Sequence, residues 1–159
     1  IPKAIIKLQS ENNVRCLVNH QARKEDLNLV KNVYSFSNVE CNVQQFFSDM
    51  PQRIFESDLV ISRSGSSTVS EIIYYGKPSI LIPYPYAVDD HQYHNARELE
   101  KRSISKIILN KNLNTQKIYL EMLKIFKNKV KRKYIAVSAP KLGNLNPCER
   151  IYDLIKGDL

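Results

Sequence analysis

The chain has 159 residues, 43% of them hydrophobic and 25% charged, with only four glycines and a formal net charge of +8. That is the composition of a soluble globular protein, long enough for one ordinary domain with its own core. No apolar run approaches the ~20 residues that a membrane-crossing helix needs, which excludes that class.

The first residues, "IPKAIIKLQ", carry neither a methionine nor a signal-peptide pattern, which suggests a piece of a longer polypeptide. Residues 2–9 read as a short helix with Pro2 in its first turn. "VRCLVN" (14–19) reads as a buried strand, "KEDLNLVKN" (24–32) as helix, and "VYSFSNVECNV" (33–43) as irregular and β-rich. "DMPQRIFES" (49–57) is a short helix and "DLVIS" (58–62) a strand. "STVSEIIYYG" (67–76) is a helix closed by Gly76, followed by the strand "PSILIP" (78–83). "QYHNARELEKR" (92–102) is a helix and "SKIILN" (105–110) a strand. Helices over 114–128 and 146–156 follow, with 134–147, "YIAVSAPKLGNLNP", as a linker. Short apolar strands alternating with helices predict an α/β fold, a parallel sheet with helices on both faces. Residues 1–133 form one lobe, and 134–159 the linker and C-terminal helix of the same lobe.

Cys16, Cys41 and Cys148 form no CxxC pair, a pattern of buried thiols in a reduced cytosolic protein rather than disulfides or zinc. The charge is unevenly divided. Residues 1–100 carry ten Lys/Arg and twelve Asp/Glu, whereas 101–159 carry fourteen and four. The densest stretch, "KIFKNKVKRK" (124–133), follows an apolar stripe of Ile118, Met122, Ile125 and Phe126. It reads as the solvated face of a helix. Anionic lipid or nucleic acid is the sharper alternative, but no aromatic or Arg pattern interleaves the lysines as base stacking needs.

In a parallel α/β sheet, ligands sit beyond the carboxyl ends of the strands. After "DLVIS" comes R-S-G-S-S-T-V-S-E, residues 63–71. Gly65 lets the backbone turn tightly or approach a ligand. The amides of Ser66, Ser67 and Thr68 then lie at a helix N-terminus, where free N–H groups and the helix dipole suit phosphate. Thr68-Val69-Ser70-Glu71 also fits a capping box, which needs no ligand. In the next such loop, "PYPYAVDDHQYHNA" (83–96), Asp89, Asp90, His91, Gln92, His94 and Asn95 follow closely. A D-D-H-x-x-H metal site mixes ligand preferences, since paired aspartates suit hard cations and histidine suits zinc. The amides of Gln92 and Asn95 fit sugar hydroxyls better.

From "VQQFFSDMPQRIFESDLV" through "ISRSGSSTVSEIIYYGKPSILIPYPYAVDDHQYHNA" the sequence resembles the donor-binding half of the MurG family of bacterial N-acetylglucosaminyltransferases. The resemblance covers nearly the whole chain and is most specific from Phe46 to Asn95. It implies one Rossmann-like lobe of the two-lobed GT-B architecture, without the family's first strand and its Gly-Gly-Ser loop. It implies that Phe47 presents its backbone to uracil and that Ser66, Ser67 and Thr68 hold the diphosphate. Val69 and Ser70 complete that segment, Glu71 binds the ribose and Gln92 the N-acetylglucosamine, with Gly65, His91 and Asn95 as additional candidates. It further implies inverting transfer from UDP-N-acetylglucosamine to undecaprenyl-linked muramoyl-pentapeptide, with no cofactor and no metal. The acceptor and its general base would belong to a second lobe, leaving no catalytic residue in this chain. By the same resemblance the protein is cytoplasmic and peripheral on the inner face of the plasma membrane; the basic stretch 124–133 leaves an anionic membrane surface as an additional candidate partner, with no nucleic acid expected. A stand-alone donor-binding subunit with a separate partner chain, as in the eukaryotic dolichol pathway, is the alternative within this class. A basic nucleic-acid-binding module over 101–133 is the alternative outside it.

Overall fold

The computed structural model describes residues 1–143. Its first half contains α1 (Pro2–Asn12), β1 (Leu17–Gln21), α2 (Leu27–Ser35), β2 (Glu40–Gln44) and α3 (Met50–Glu56). The second half contains β3 (Val60–Ser62), α4 (Ser66–Tyr75), β4 (Ser79–Leu81), α5 (His91–Lys101), β5 (Ser105–Ile107), α6 (Thr115–Lys127), α7 (Lys129–Ser138) and the short α8 (Pro140–Gly143). Every strand pair is parallel, in two sheets ordered β1-β2 and β3-β4-β5. The expected α/β class, with helices on both faces of a parallel sheet, is what the chain adopts.

β4 shows how these residues specify a central strand. Ile80 and Ile82 pack against Ala4 and Leu8 of α1 and against Ile118 and Met122 of α6. Leu81, between them, points the other way, into Ile72 of α4, Ala96 and Leu99 of α5 and Ile135 of α7. Side chains alternate with period two, so an all-apolar strand must be covered on both sides. A third cluster, Tyr34, Val39 and Val43, lies under α2 and takes Ile5 and Ile6 from α1. Ile5 packs into this cluster and into the one around Ile80, so α1 bridges the two sheets.

Five expectations are corrected. The strand expected at 14–19 lies at Leu17–Gln21 and buries only alternate residues in part. It has one partner, β2, and among the described residues its other edge, like the outer edge of β3, is unpaired. Among the described residues the strands thus form two separate parallel sheets. Residues 33–35 end α2 instead of starting a β segment, because Tyr34 completes the buried face of that helix. Residues 134–138 are not linker: Ile135 and Ala139 are buried at helical spacing, which holds α7 to the core. Phe126, placed in the apolar stripe of α6, is exposed, because the helix ends at Lys127 and the chain turns at Asn128. Cys16 and Cys41 are free and half-buried rather than buried, while Cys148 and the helix expected at 146–156 lie outside the described residues.

Gly76 closes α4 as expected, in the left-handed conformation with φ 60°. It is also where α7 comes closest: a Cβ there would lie 2.8 Å from the carbonyl oxygen of Ala136. Gly76→Ala therefore meets two costs, of which the left-handed backbone alone is about 1–2 kcal/mol. Denaturant unfolding of the variant is expected to show more than that loss. A loss no larger than that backbone cost would mean that α7 does not dock on the end of α4.

Candidate functional site

The carboxyl ends of β3 and β4 meet the N-termini of α4 and α5. α4 begins at Ser66 with Gly65 as its N-cap residue, and no side chain caps it. The first helical hydrogen bond at this end runs from the Val69 amide to the Gly65 carbonyl at 3.0 Å. The amides of Ser66, Ser67 and Thr68 precede it and have no intrahelical acceptor, as helix geometry requires. The capping box expected of Thr68 and Glu71 is not formed, because both residues lie inside the helix. Gly65 has φ −62°, which any residue adopts, so a tight turn is not what calls for glycine. Nothing lies within 4 Å of where its Cβ would be. Glycine here leaves open space over three unsatisfied donors.

The loop before α4 is held from below. Ser64 is fully buried; its hydroxyl donates to the Gln92 carbonyl at 2.7 Å, and its own carbonyl accepts from Asn95 Nδ2 at 3.2 Å. These bonds tie the start of α4 to the start of α5. Arg63 spans three strand ends. Its Nη1 donates to the carbonyls of Ile82 and Pro83 at 3.0 and 3.1 Å and reaches Asn110 Oδ1 at 3.4 Å. Its guanidinium also lies 5.6 Å from the Tyr84 ring centroid.

Other candidate residues are placed less simply. Gln92 Oε1 accepts from the Tyr84 amide at 3.0 Å, so half of its amide already braces the loop. Asn95 turns inward to Ser64. His91 Nδ1 is 2.7 Å from the Val88 carbonyl and closes its own turn. Asp89 and Asp90 lie at φ 48° and 51°, a left-handed pair that aspartate tolerates better than most residues. Among the described residues no three His, Cys, Asp or Glu side chains converge as a metal site. Glu71 is half-buried and makes no hydrogen bond or ion pair among the described residues, so its carboxylate is free to accept.

Phe47 belongs to the other sheet, on the turn after β2. Its side chain is 2% exposed, and the Arg53 guanidinium sits 4.3 Å from its ring centroid. Arg53 also donates to Asp49 at 2.8 Å and to Asn19 Oδ1 of β1 at 2.5 Å. The bond from Arg53 holds the Asp49 carboxyl below its usual range. With its ring buried, Phe47 can offer a ligand only its backbone.

The structure therefore gathers Gly65, Ser66–Glu71, Gln92 and Asn95 into one connected constellation and leaves Phe47 on a separate support. Sequence reading missed Arg63, Ser64, Arg53 and Asn110, which position the others. The signal available was weak: an Arg-Ser pair directly before Gly65, at a strand end. Ser64→Ala removes the hydroxyl that ties the start of α4 to the start of α5, and the loss of one such buried hydrogen bond costs about 0.5–1.5 kcal/mol. Thermal unfolding should show that loss, whereas Ser66→Ala, exposed and uncapping nothing, should unfold like the parent.

Comparison with known proteins bears on the same region. Residues 2–144 match the glycosyltransferase family 28 C-terminal domain. The chain is 40% identical over 157 residues to the UDP-N-acetylglucosamine–N-acetylmuramyl-(pentapeptide) pyrophosphoryl-undecaprenol N-acetylglucosamine transferase of Caulobacter vibrioides, covering 98% of this chain and 43% of that protein. It is 39% identical over 128 residues to the enzyme of the same name from Acetivibrio thermocellus, covering 80% of this chain and 35% of that one. The chain thus spans about two fifths of the length of these curated relatives. The crystal structure of Acinetobacter baumannii MurG superposes with a TM-score of 0.78 at 27% identity, over 88% of this chain and 40% of that one. The glycosyltransferase VinC, solved with dTDP, shares the fold with a TM-score of 0.70 at 13% identity. The chain belongs to the glycosyltransferase family 28 C-terminal domains and is of the MurG-like kind, a single GT-B-like lobe.

Proposed function

We propose that this family 28 domain is the nucleotide-sugar lobe of an inverting N-acetylglucosaminyltransferase. It takes UDP-N-acetylglucosamine, and its acceptor is undecaprenyl-pyrophosphoryl-muramoyl-pentapeptide. The observation that carries the reading is the uncapped start of α4, with three free amides under the open space at Gly65.

In this reading the diphosphate lies over Ser66, Ser67 and Thr68, with Val69 and Ser70 continuing the helix behind them. Glu71, free to accept, takes the ribose hydroxyls. The backbone of Phe47 reads the uracil edge. Gln92 keeps Oε1 on the Tyr84 amide and offers Nε2 to a sugar hydroxyl. When the acceptor hydroxyl attacks the anomeric carbon and UDP departs, negative charge grows on the β-phosphate. Fixed amides aimed at that charge stabilise it without reorganising, and a donor of this kind typically contributes about 2.7–4 kcal/mol. The base that takes the acceptor proton belongs to a second lobe, so this chain alone binds and does not turn over. The protein works in the cytoplasm, peripheral to the inner face of the plasma membrane.

Calorimetric titration should show UDP binding more tightly than ADP or GDP; equal affinities would remove the uracil assignment. Glu71→Ala should weaken UDP and leave 2′,3′-dideoxy-UDP nearly unchanged. Equal weakening of both would take the ribose from Glu71. Gly65→Ala fills only open space, so stability should hold within about 1 kcal/mol while UDP affinity falls at least tenfold. Retained affinity would place the diphosphate elsewhere.

A further inference from the structure

The loop between β4 and α5 holds two aromatic rings that no buried cluster uses. Tyr84 and Tyr86 are 42% and 82% exposed. Their rings meet edge to face, with 5.7 Å between centroids. Pro83 precedes Tyr84 and Pro85 follows it, so the backbone on either side of the first ring has fixed φ. Three contacts then hold the segment in place. The Tyr84 amide donates to Gln92 Oε1 at 3.0 Å, and the Ala87 amide donates to the Tyr84 carbonyl at 3.3 Å. The Arg63 guanidinium lies 5.6 Å from the Tyr84 ring centroid. Exposed rings on a braced loop lose little entropy when they take a ligand.

Where the pair stands follows from strand order. β3, β4 and β5 are parallel neighbours, so their carboxyl ends form one edge. Ser64, at the start of α4, is bonded to the Gln92 carbonyl, and Gln92 Oε1 to the Tyr84 amide. The guanidinium beside the Tyr84 ring reaches Asn110, beyond β5. Tyr84 is thus held between Gln92 and the end of β5. The inference rests on the nucleotide-sugar reading, which puts the diphosphate at α4 and its hexose at Gln92. Inversion at the anomeric carbon needs the attacking hydroxyl and the departing phosphate on opposite sides. The acceptor sugar then comes from beyond Gln92, on the side of the two tyrosines. We infer that Tyr84 and Tyr86 form a stacking platform for the pyranose ring of the acceptor. A pyranose carries C–H groups that neighbouring oxygens make electropositive, which suits the negative face of an aromatic ring. This lobe would therefore hold the sugar that receives as well as the sugar that is given.

The test is steady-state transfer by the full-length protein from UDP-N-acetylglucosamine to a soluble acceptor, muramoyl-pentapeptide diphosphate on a short alkyl chain. Tyr86→Ala should raise KM for that acceptor roughly five- to tenfold. Tyr86→Phe and Tyr86→Trp should stay within about twofold of the parent, because a ring face remains. Val88→Ser, which removes a neighbouring exposed aliphatic group, should leave the acceptor KM unchanged. In all four variants the KM for UDP-N-acetylglucosamine, the calorimetric affinity for UDP and the melting midpoint should match the parent. An unaltered acceptor KM in Tyr86→Ala would overturn the inference while leaving the nucleotide-sugar reading intact. Equal rises in donor and acceptor KM would move Tyr86 to the donor site and overturn it too. So would a rise seen with a lipid-linked acceptor in vesicles but not with the soluble one, which would assign the ring to lipid. A parent protein that binds no UDP would overturn the nucleotide-sugar reading and this inference with it.

Discussion

A helix that starts without a side-chain cap has to be held at its start by something else. In this protein the holding group is the buried Ser64, one residue before the N-cap glycine. Its hydroxyl and carbonyl are both committed to α5, so the loop cannot fold back to satisfy the amides of Ser66, Ser67 and Thr68. Those donors stay aimed at open space. Arg63 extends the restraint by binding the carbonyls at the end of β4. Preorganisation here is a matter of buried hydrogen bonds, and the residues that face a ligand contribute little to it.

The lobe has two ends with different physics. At the carboxyl ends of the strands the backbone is left unsatisfied and side chains are small or polar. At the other end Gly76 brings α7 against the sheet layer, and Ile135 and Ala139 seal the core beside Leu99 and Ile104. α4 runs from one to the other. Its first turn is available because its last turn is fixed by packing.

Much of this was legible in the sequence. Alternating apolar strands and helices gave the fold class, and Gly65 followed by four hydroxyl residues within five positions marked the start of α4. The resemblance over Phe46–Asn95 supplied the family, which the match over residues 2–144 supports. What escaped was long-range. Nothing local distinguishes the buried Ser64 from the exposed Ser66, because burial depends on α5 arriving 28 residues later. The periodicity of α7 was hidden by its lysines, and only Ile135 and Ala139 in contact with the core reveal it as a helix. The half-exposure of β1 follows from its single neighbour, a fact of pairing that no pattern within residues 14–19 contains.

The constellation is not equally firm throughout. Ser66–Glu71 and Gln92 rest on the three-stranded sheet and are cross-braced by Ser64 and Arg63. Phe47 rests on the two-stranded sheet, and its connection to the rest passes through α3. Arg53 joins Asn19 of β1 to the Phe47 ring, and Phe55 meets Tyr75 of α4 edge-on at 5.8 Å between ring centroids. Apart from the buried Phe47 ring, the groups in these contacts are exposed or half-buried, and each contact is individually weak. Between β1 and β3 there is no ladder of hydrogen bonds to fix the spacing of the two sheets. A ligand at the start of α4 would therefore meet a braced site, whereas one reaching for Phe47 would meet a distance set by the packing of α1 and α3. Any ligand that spans both supports stabilises their relative placement by the same amount that their correct placement strengthens its binding.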